Sequence, residues 1–358
     1  MNKLLSVIIP TYNMEALLPR CLDSLLVEGA LERIEAMVVN DGSKDGSLAV
    51  ANGYRERFPE SVTVIDKPNG NYGSTINAAL PVAKGKYVRI LDSDDWFDSD
   101  SLVRFLDRLE SIDTDMVITH FNTVNDDGSR EVTKYNVYGK EPYEYGHVYN
   151  LDDILKDGYI RFFLMHGLTY RTQMLRDMGY RQTEGISYTD TEWSCYPVFV
   201  AKDIIFLDIN LYQYNLAREG QTMDPKVIAR SLDQMEKMTL QLISFYSEFD
   251  LNSLSPIRLS FIKQYYANRI RLIYKNHLLD IPYDMFNAEQ LGNLDAKLTR
   301  ANEQFRFGTI RLYPANKILR FDALKYWHKH HKRWPKWFDS LNRHTDSLVN
   351  WFFVKIFK

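Results

Sequence analysis

Short apolar runs rich in β-branched residues alternate with amphipathic segments through the first hundred residues of the chain. The run at residues 4–9 ends at Pro10, which predicts a buried strand, and apolar positions between residues 17 and 26 recur at the three-and-four spacing of a helix. Further strand-like runs lie at residues 36–39, 63–66 and 87–91. Strands that alternate with helices at this pitch predict an α/β domain with a mostly parallel sheet and helices on both faces.

The chain length and a later change of pattern predict two parts. At 358 residues the chain exceeds the usual size of one domain, and its 45% apolar and 13% aromatic composition suffices for a sizeable core. Helical periodicity dominates from about residue 224 onward. We therefore predict a ligand-binding α/β domain at residues 1–224 and a smaller helical C-terminal region at residues 225–358.

The cysteines and the apolar stretches bear on the cellular compartment. Cys21 and Cys195 lie far apart without CxxC spacing, which favours two ordinary thiols in a reducing cytosol over a disulfide or zinc site. The apolar stretch at the N-terminus is too short for a signal peptide, and no run of about 18 apolar residues occurs. The sequence predicts a cytoplasmic protein with no membrane span.

The C-terminal tail has a charge balance of its own. Residues 310–358 contain eleven lysines and arginines against three aspartates, interleaved with aromatic residues. This mixture suits the inner face of an anionic membrane, which would make the protein peripheral there, and it equally suits an aromatic helical bundle. No recognised nucleic-acid motif accompanies it, so we expect no nucleic-acid partner. The sequence does not predict the oligomeric state.

Three crowded carboxylates follow the strand at residues 87–91. Asp92, Asp94 and Asp95 stand where the main chain must emerge from the sheet. A hard divalent cation such as Mg²⁺ or Mn²⁺ would accept their oxygens, whereas a solvated turn with helix-capping aspartates is the alternative. The segments at residues 40–47 and 67–73 also follow strands, so all three segments should meet at the ligand-binding edge of the sheet.

Four ordered segments carry a resemblance to a known family. They are SVIIPTYN at residues 6–13, VVNDGSKDGS at residues 38–47, KPNGNYGSTINAAL at residues 67–80 and GKYVRILDSDDWFDSD at residues 85–100. Together they resemble the inverting family 2 glycosyltransferases, which have the GT-A fold, and in particular those that build bacterial cell-surface polysaccharides. The resemblance implies transfer of a sugar from a nucleotide diphosphate donor, with a UDP-sugar expected, to a saccharide or lipid-linked saccharide hydroxyl, assisted by Mn²⁺ or Mg²⁺.

The resemblance also implies roles for individual residues. Asp41 would accept from the nucleotide base, Asp92 would face the ribose and diphosphate, and Asp94 would ligate the metal, with Asp95 as a second member of the metal site. The implied nucleotide-sugar set is Pro10, Thr11, Tyr12, Asp41, Lys67, Asn69, Gly70, Asp92, Ser93 and Arg218. One departure is Ile76, which stands where many relatives have an arginine that contacts the diphosphate. Lys67 and Arg89 are candidate substitutes.

An inverting transfer requires a general base for the acceptor hydroxyl. The resemblance places that base in the segment at residues 184–199, where Asp190 is the predicted base and Glu192 its competitor. The alternative is that Asp190 caps a helix that begins at the next residue. The segment at residues 212–223 resembles a flexible lid that bears Arg218. His166, in a predicted strand, is expected to be a core residue.

Other functions remain as alternatives. A catalytically inactive sugar-nucleotide-binding subunit of another glycosyltransferase would keep the pocket without the base. A sugar-phosphate nucleotidyltransferase would need a glycine-rich basic loop after the first strand, and a dinucleotide-dependent oxidoreductase would need GxGxxG there. Both motifs are missing from the sequence at that place.

Overall fold

The computed structural model describes residues 3–335 except 126, 135–142, 157, 159, 161–162, 217–224 and 313–321. The described residues cluster into two compact units. One consists of Met1–Glu219 with Asp250–Ile262, and the other of Gly220–Phe249 with Lys263–Lys358. The predicted boundary after residue 224 stays a prediction.

Ten strands and eleven α-helices form the described chain. The strands are β1 Leu5–Thr11, β2 Ile34–Asp41, β3 Val62–Lys67, β4 Tyr87–Ile90, β5 Trp96–Phe97, β6 Met116–Val124, β7 Arg130–Thr133, β8 Val148–Asn150, β9 Leu168–Arg171 and β10 Asp203–Asn215. The helices are α1 Leu18–Asp23, α2 Ser47–Arg57, α3 Asn71–Ala79, α4 Ser99–Glu110, α5 Leu151–Lys156, α6 Thr172–Asp177, α7 Asp190–Cys195, α8 Pro225–Glu248, α9 Pro256–Lys275, α10 Ala288–Phe305 and α11 Ala323–His330.

All ten strands belong to one sheet in the order β3-β2-β1-β4-β9-β6-β10-β5, with β7 beside β6 and β8 beside β10. The strands β3, β2, β1 and β4 are mutually parallel and form what we call the parallel half. In the remainder, the mixed half, β9 runs antiparallel to both β4 and β6, whereas β10 runs parallel to β6. The predicted α/β class is confirmed, and the predicted parallel arrangement holds for the first four strands.

The core of the first unit lies between this sheet and its helices. Strand β2 is buried along its whole length, which is typical of a parallel strand covered on both faces. Helix α4 buries Leu102, Phe105, Leu106 and Leu109, which recur at three-and-four spacing. Asp98 caps this helix by accepting a hydrogen bond from the Ser101 amide. This capping hydrogen bond fixes the start of α4, a few residues after the turn at residues 92–95.

Two local predictions are corrected by the structure. Strand β9 begins at Leu168, so His166 lies in a short turn before the strand and not within it. The segment that resembles a lid begins inside strand β10, where Tyr212 and Gln213 are fully buried by pairing with β6 and β5. The rest of that segment, including Arg218, lies outside the described residues.

The second unit is helical in its described part. Tyr266 of α9 donates a hydrogen bond to the Leu242 carbonyl of α8. Asp295 of α10 accepts hydrogen bonds from Tyr274 and from Trp327 of α11. Residues 322–335 of the basic aromatic tail therefore pack within this unit, and residues 336–358 lie outside the described residues. Among the helices that the structure describes, none has the length and apolarity needed to cross a bilayer.

Candidate active site

Asp41 is the centre of a polar cluster at the ends of β2 and β3. Its Oδ1 accepts from Lys67 Nζ at 2.6 Å, from the Gly70 amide at 2.9 Å and from Ser74 Oγ at 3.3 Å. Its backbone carbonyl accepts from the Asn69 side chain at 2.9 Å. No described residue donates a hydrogen bond to Oδ2. The cluster thus fixes the loop after β3 and leaves one carboxylate oxygen of Asp41 for a ligand.

The end of β1 lies beside this cluster. Strand pairing places Thr11 next to Asn40, the neighbour of Asp41. The Thr11 hydroxyl is buried and donates to the Ile9 carbonyl, and Ser93 Oγ donates to the Pro10 carbonyl at 2.8 Å. Tyr12 is 45% exposed. The side chains of Thr11 and Ser93 therefore hold the loop, whereas the exposed ring of Tyr12 is open to a ligand.

The acidic turn after β4 has two half-buried carboxylates, Asp92 and Asp94, and one deeply buried carboxylate, Asp95. The Asp92 carboxylate accepts from Tyr72 at 2.7 Å, and the Asp94 carbonyl accepts from Arg20 at 2.9 Å. Asp95 is 1% exposed, and its two oxygens accept from the Tyr212 hydroxyl and from the Asn215 amide. Burial and the charges of Asp92 and Asp94 raise the pKa of Asp95 well above its usual value. A cation at this turn would offset that cost.

Three side chains at the acidic turn are close enough together to hold a metal ion. One oxygen of Asp92, one oxygen of Asp95 and one ring nitrogen of His166 all lie within 4.8 Å of one another. That spacing suits ligands of a single first-row divalent ion. His166 Nδ1 is buried without a hydrogen-bond partner among the described residues. Burial lowers the pKa of His166 to about 3, so its ring is neutral, as a metal ligand must be.

Asp190 and Glu192, the two candidate bases, have different surroundings. Asp190 is the first residue of α7 and is half-buried, and its charge contributes to the raised pKa of Tyr72, after burial and Asp92. The side chain of Glu192 is fully buried. Its oxygens accept from the Thr183 amide at 2.7 Å, the Thr183 hydroxyl at 2.6 Å and the Tyr196 hydroxyl at 3.1 Å. Asp190 is therefore the one of the two whose charge acts on Tyr72, the residue that donates to Asp92.

The two candidate substitutes for the missing arginine are both engaged elsewhere. Lys67 is bound to Asp41, the Pro68 carbonyl and Ser74. Arg89 is fully buried and donates to Thr119, Thr169 and the His166 carbonyl. Arg89 therefore holds the turn that carries His166, and its contacts are structural.

Several residues of the site had no prediction from the sequence. Tyr72 holds Asp92, and Tyr212 with Asn215 holds Asp95. Tyr214 and Phe121 pack against the His166 ring, at centroid distances of 4.4 and 5.0 Å. Tyr72 carried a local signal because it lies in the KPNGNYG loop, and Tyr212, Tyr214 and Asn215 lie in the segment that resembles a lid, whereas no signal pointed to Phe121.

Comparison with known proteins gives one family match and several partial relatives. The model of Glycosyl transferase family 2 matches residues 6–179. A poly(ribitol-phosphate) beta-glucosyltransferase of Bacillus spizizenii is 35% identical over 127 residues, which are 35% of this chain and 20% of that protein. A chondroitin synthase of Pasteurella multocida is 38% identical over 134 residues, which are 37% of this chain and 14% of that protein. The match thus spans a fifth or less of these two relatives.

Solved structures resemble the fold over more of the chain. Staphylococcus aureus TarS superposes with a TM-score of 0.63 and 20% identity, over 92% of this chain and 53% of TarS. A shorter TarS chain in complex with UDP-GlcNAc gives 0.53 and 18%, over 85% and 89%. The mannosyltransferase PcManGT of Pyrobaculum calidifontis, in complex with GDP-Man and Mn²⁺, gives 0.50 and 16%, over 91% and 83%. These likenesses confirm the predicted fold.

Proposed function

Because residues 6–179 are a family 2 glycosyltransferase domain of the GT-A fold, we propose that the protein transfers a sugar from a nucleotide diphosphate donor to an acceptor hydroxyl, with inversion at the anomeric carbon. A UDP-sugar is the expected donor, and the product is a bacterial polysaccharide or glycoconjugate. The observation that carries the proposal is that the Asp41 cluster and the acidic turn lie at the same end of the parallel half, after β2 and β4, which both pair with β1. The TarS complex with UDP-GlcNAc supports the donor class.

The Asp41 cluster and the end of β1 bind the nucleotide in this proposal. The unoccupied hydrogen-bonding capacity of Asp41 Oδ2 suits an NH of the base, and the exposed Tyr12 ring offers a face for stacking. Pro10, Thr11, Asn69 and Gly70 shape the pocket through the backbone. Lys67 and Ser93 contribute indirectly, because their side chains bond to Asp41 and to the Pro10 carbonyl. Arg218 stays a prediction outside the described residues.

The acidic turn holds a divalent cation, Mn²⁺ or Mg²⁺, in this proposal. Asp94 and Asp95 are the ligands that the family resemblance implies, and the geometry adds Asp92 and His166 as candidates on the inner side of the turn. A bound cation would stabilise the negative charge on the departing diphosphate. The PcManGT complex with Mn²⁺ supports a metal at such a site.

Asp190 is the general base in this proposal. It removes the proton of the acceptor hydroxyl while that oxygen forms a bond to the anomeric carbon and the bond from that carbon to the diphosphate breaks. Burial, the Asp92 contact and the Asp190 charge keep the Tyr72 pKa high, so the Tyr72 hydroxyl stays protonated and orients Asp92. Glu192 is unsuited to be the base, because all its contacts are internal.

A thermal-shift series combined with a transfer assay tests the proposal. Nucleotide sugars with Mn²⁺ should raise Tm, because a ligand at a hundred times its Kd adds about 2.7 kcal/mol to folding. UDP-sugars should give larger shifts than GDP-sugars, and a chelator should abolish sugar transfer. Binding without turnover on any saccharide or lipid-linked acceptor would support the inactive-subunit alternative, which the relatives do not favour. A flat thermal response to every donor would contradict the proposal.

A further inference from the structure

The segment at residues 182–185 lies against helix α3. Asn77, in the last turn of this helix, pairs with both backbone groups of Gln182. Its Nδ2 donates to the Gln182 carbonyl at 2.8 Å, and the Gln182 amide donates to its Oδ1 at 2.8 Å. Nδ2 also donates to Glu184 Oε1 at 2.8 Å. The asparagine thus satisfies the backbone of a segment that joins no strand.

The first turn of α3 makes a closer contact with the same segment. The Gly185 amide donates to the Gly70 carbonyl at 2.8 Å. A Cβ atom added at Gly73 would stand 2.2 Å from the Thr183 carbonyl oxygen, a distance that atoms cannot adopt. Glycine at residue 73 is therefore what allows the segment to lie on the helix.

The other side of the segment is fixed by helix α7. Both oxygens of Glu192 are occupied by Thr183 and Tyr196, as described above. Thr189, which precedes α7, donates from its hydroxyl to Gln182 Oε1 at 2.9 Å. The segment is thus bonded to both ends of the short stretch that presents Asp190.

We propose that Gly73, Asn77 and Glu192 are positioning residues that clamp residues 182–185 between α3 and α7 and thereby set the place of Asp190. The inference rests on the proposed function, since it concerns the base of that reaction. Helix α3 starts directly after Asn69 and Gly70, the loop that binds Asp41. One motif, KPNGNYG with its helix, therefore connects the donor pocket to the base.

The substitution Gly73→Ala tests the clamp, with Gly53→Ala as matched control. Both glycines lie in helices, but a Cβ at Gly53 would meet nothing within 4 Å. We expect Gly73→Ala to lower kcat by about a hundredfold, since a displacement of about 1 Å can cost that much. The donor Kd should change by no more than about threefold, and hydrogen exchange at residues 182–186 should accelerate. Gly53→Ala should leave all three unchanged.

A second pair covers the case in which Gly73→Ala fails to fold. Thr183→Val removes the hydroxyl that donates to Glu192, whereas Thr183→Ser keeps it. Thr183→Val should lower kcat and accelerate hydrogen exchange at residues 182–186. Thr183→Ser should keep both close to the wild-type values. Faster exchange with an unchanged kcat would overturn the positioning role while leaving the glycosyltransferase proposal intact. Absence of any transfer by the wild type would defeat the proposed function, and with it the link to catalysis, while the exchange data would still report the clamp.

Discussion

In the parallel half of the sheet, each polar group of the site follows the strand that delivers it, whereas the mixed half supplies groups from distant segments. Asp41 is held by Lys67 and Gly70, which come from the next strand and its loop. Asp95 is held by Tyr212 and Asn215, which are 117 and 120 residues away in the chain. In the proposed function, the parallel half is thus a set of local motifs that bind the donor, and the mixed half with its loops positions charge and the general base.

The largest expected effect tests whether catalysis belongs to the segment between β9 and β10. Asp190→Asn should lower kcat by about a hundredfold to ten-thousandfold, the usual contribution of a general base, with the donor Kd unchanged. Steady-state kinetics and calorimetric donor binding would measure both quantities. Equal donor affinity in the variant and the wild type would also show that Asp190 does not take part in donor binding, the role proposed for the parallel half.

Glu192→Gln is the matched control for that substitution. The side-chain oxygen of the glutamine still accepts from the Thr183 backbone amide, and Thr183 Oγ can accept from the glutamine NH₂ group. The clamp on residues 182–185 is therefore weakened but not removed. We expect a loss of kcat at least about tenfold smaller than for Asp190→Asn, because Glu192 acts through position alone. If the glutamine variant is the more damaged of the two, Glu192 is the base and the assignment is wrong.

An intermediate effect tests the parallel half. Asp41→Asn replaces the charged acceptor for the NH of the nucleotide base by a neutral one, and it weakens the contact with Lys67. A hydrogen bond to a charged group contributes about 1.5–3 kcal/mol, so the donor Kd should rise by about tenfold to a hundredfold while kcat stays within about threefold. Isothermal titration with the donor would measure it.

The control for Asp41 is Asp66→Asn, an exposed aspartate one residue before the end of β3 that accepts from Asn40. It should leave the donor Kd unchanged, because Asp66 makes no described contact with the Asp41 cluster. If Asp41→Asn lowers kcat without changing the donor Kd, Asp41 contributes to catalysis and not to donor binding. The proposed contrast between the two halves would then be wrong.

The same contrast explains what the sequence could predict. The strands, the α/β class and the carboxylates at 92, 94 and 95 were accessible because they depend on local periodicity and on strand ends. The contacts that Tyr212 and Asn215 make with Asp95 could not be predicted from the sequence. Strand β10 slips register against β6 between Phe206 and Tyr212, and a one-residue slip turns every side chain to the opposite face. No local pattern states how many such slips occur.

Glu192 and His166 illustrate a second limit. His166 lies in a mainly apolar stretch and Glu192 in a mixed one, and neither sequence neighbourhood shows which way the side chain faces. Glu192 accepts a hydrogen bond from the backbone amide of Thr183, nine residues before it, and the His166 carbonyl accepts one from Arg89, 77 residues earlier. Such partners depend on how loops pack on the finished sheet. Reasoning from the sequence therefore identified the acidic turn but not the groups that hold it.

The smallest expected effect concerns the stability of the mixed half against acid. Burial, with a smaller contribution from Arg89, lowers the pKa of His166 to about 3, compared with about 6.5 in the unfolded chain. Between those values the unfolded chain binds a proton that the folded chain does not, so the free energy of unfolding decreases as the pH falls through this window. Removing the imidazole should therefore make the protein less sensitive to acid.

The measurement compares His166→Gln with His147→Gln, a substitution at an exposed histidine beside β8. Denaturant unfolding at pH 7 and pH 5.5, with chelator present, gives the loss of stability for each variant. Since linkage limits one proton to about 1.4 kcal/mol per pH unit and partial exposure reduces this, wild type should lose about 1 kcal/mol more than His166→Gln. His147→Gln should behave as wild type. An equal loss in all three proteins would mean that folding does not lower the pKa of His166, which would contradict the effect of its burial beside Arg89.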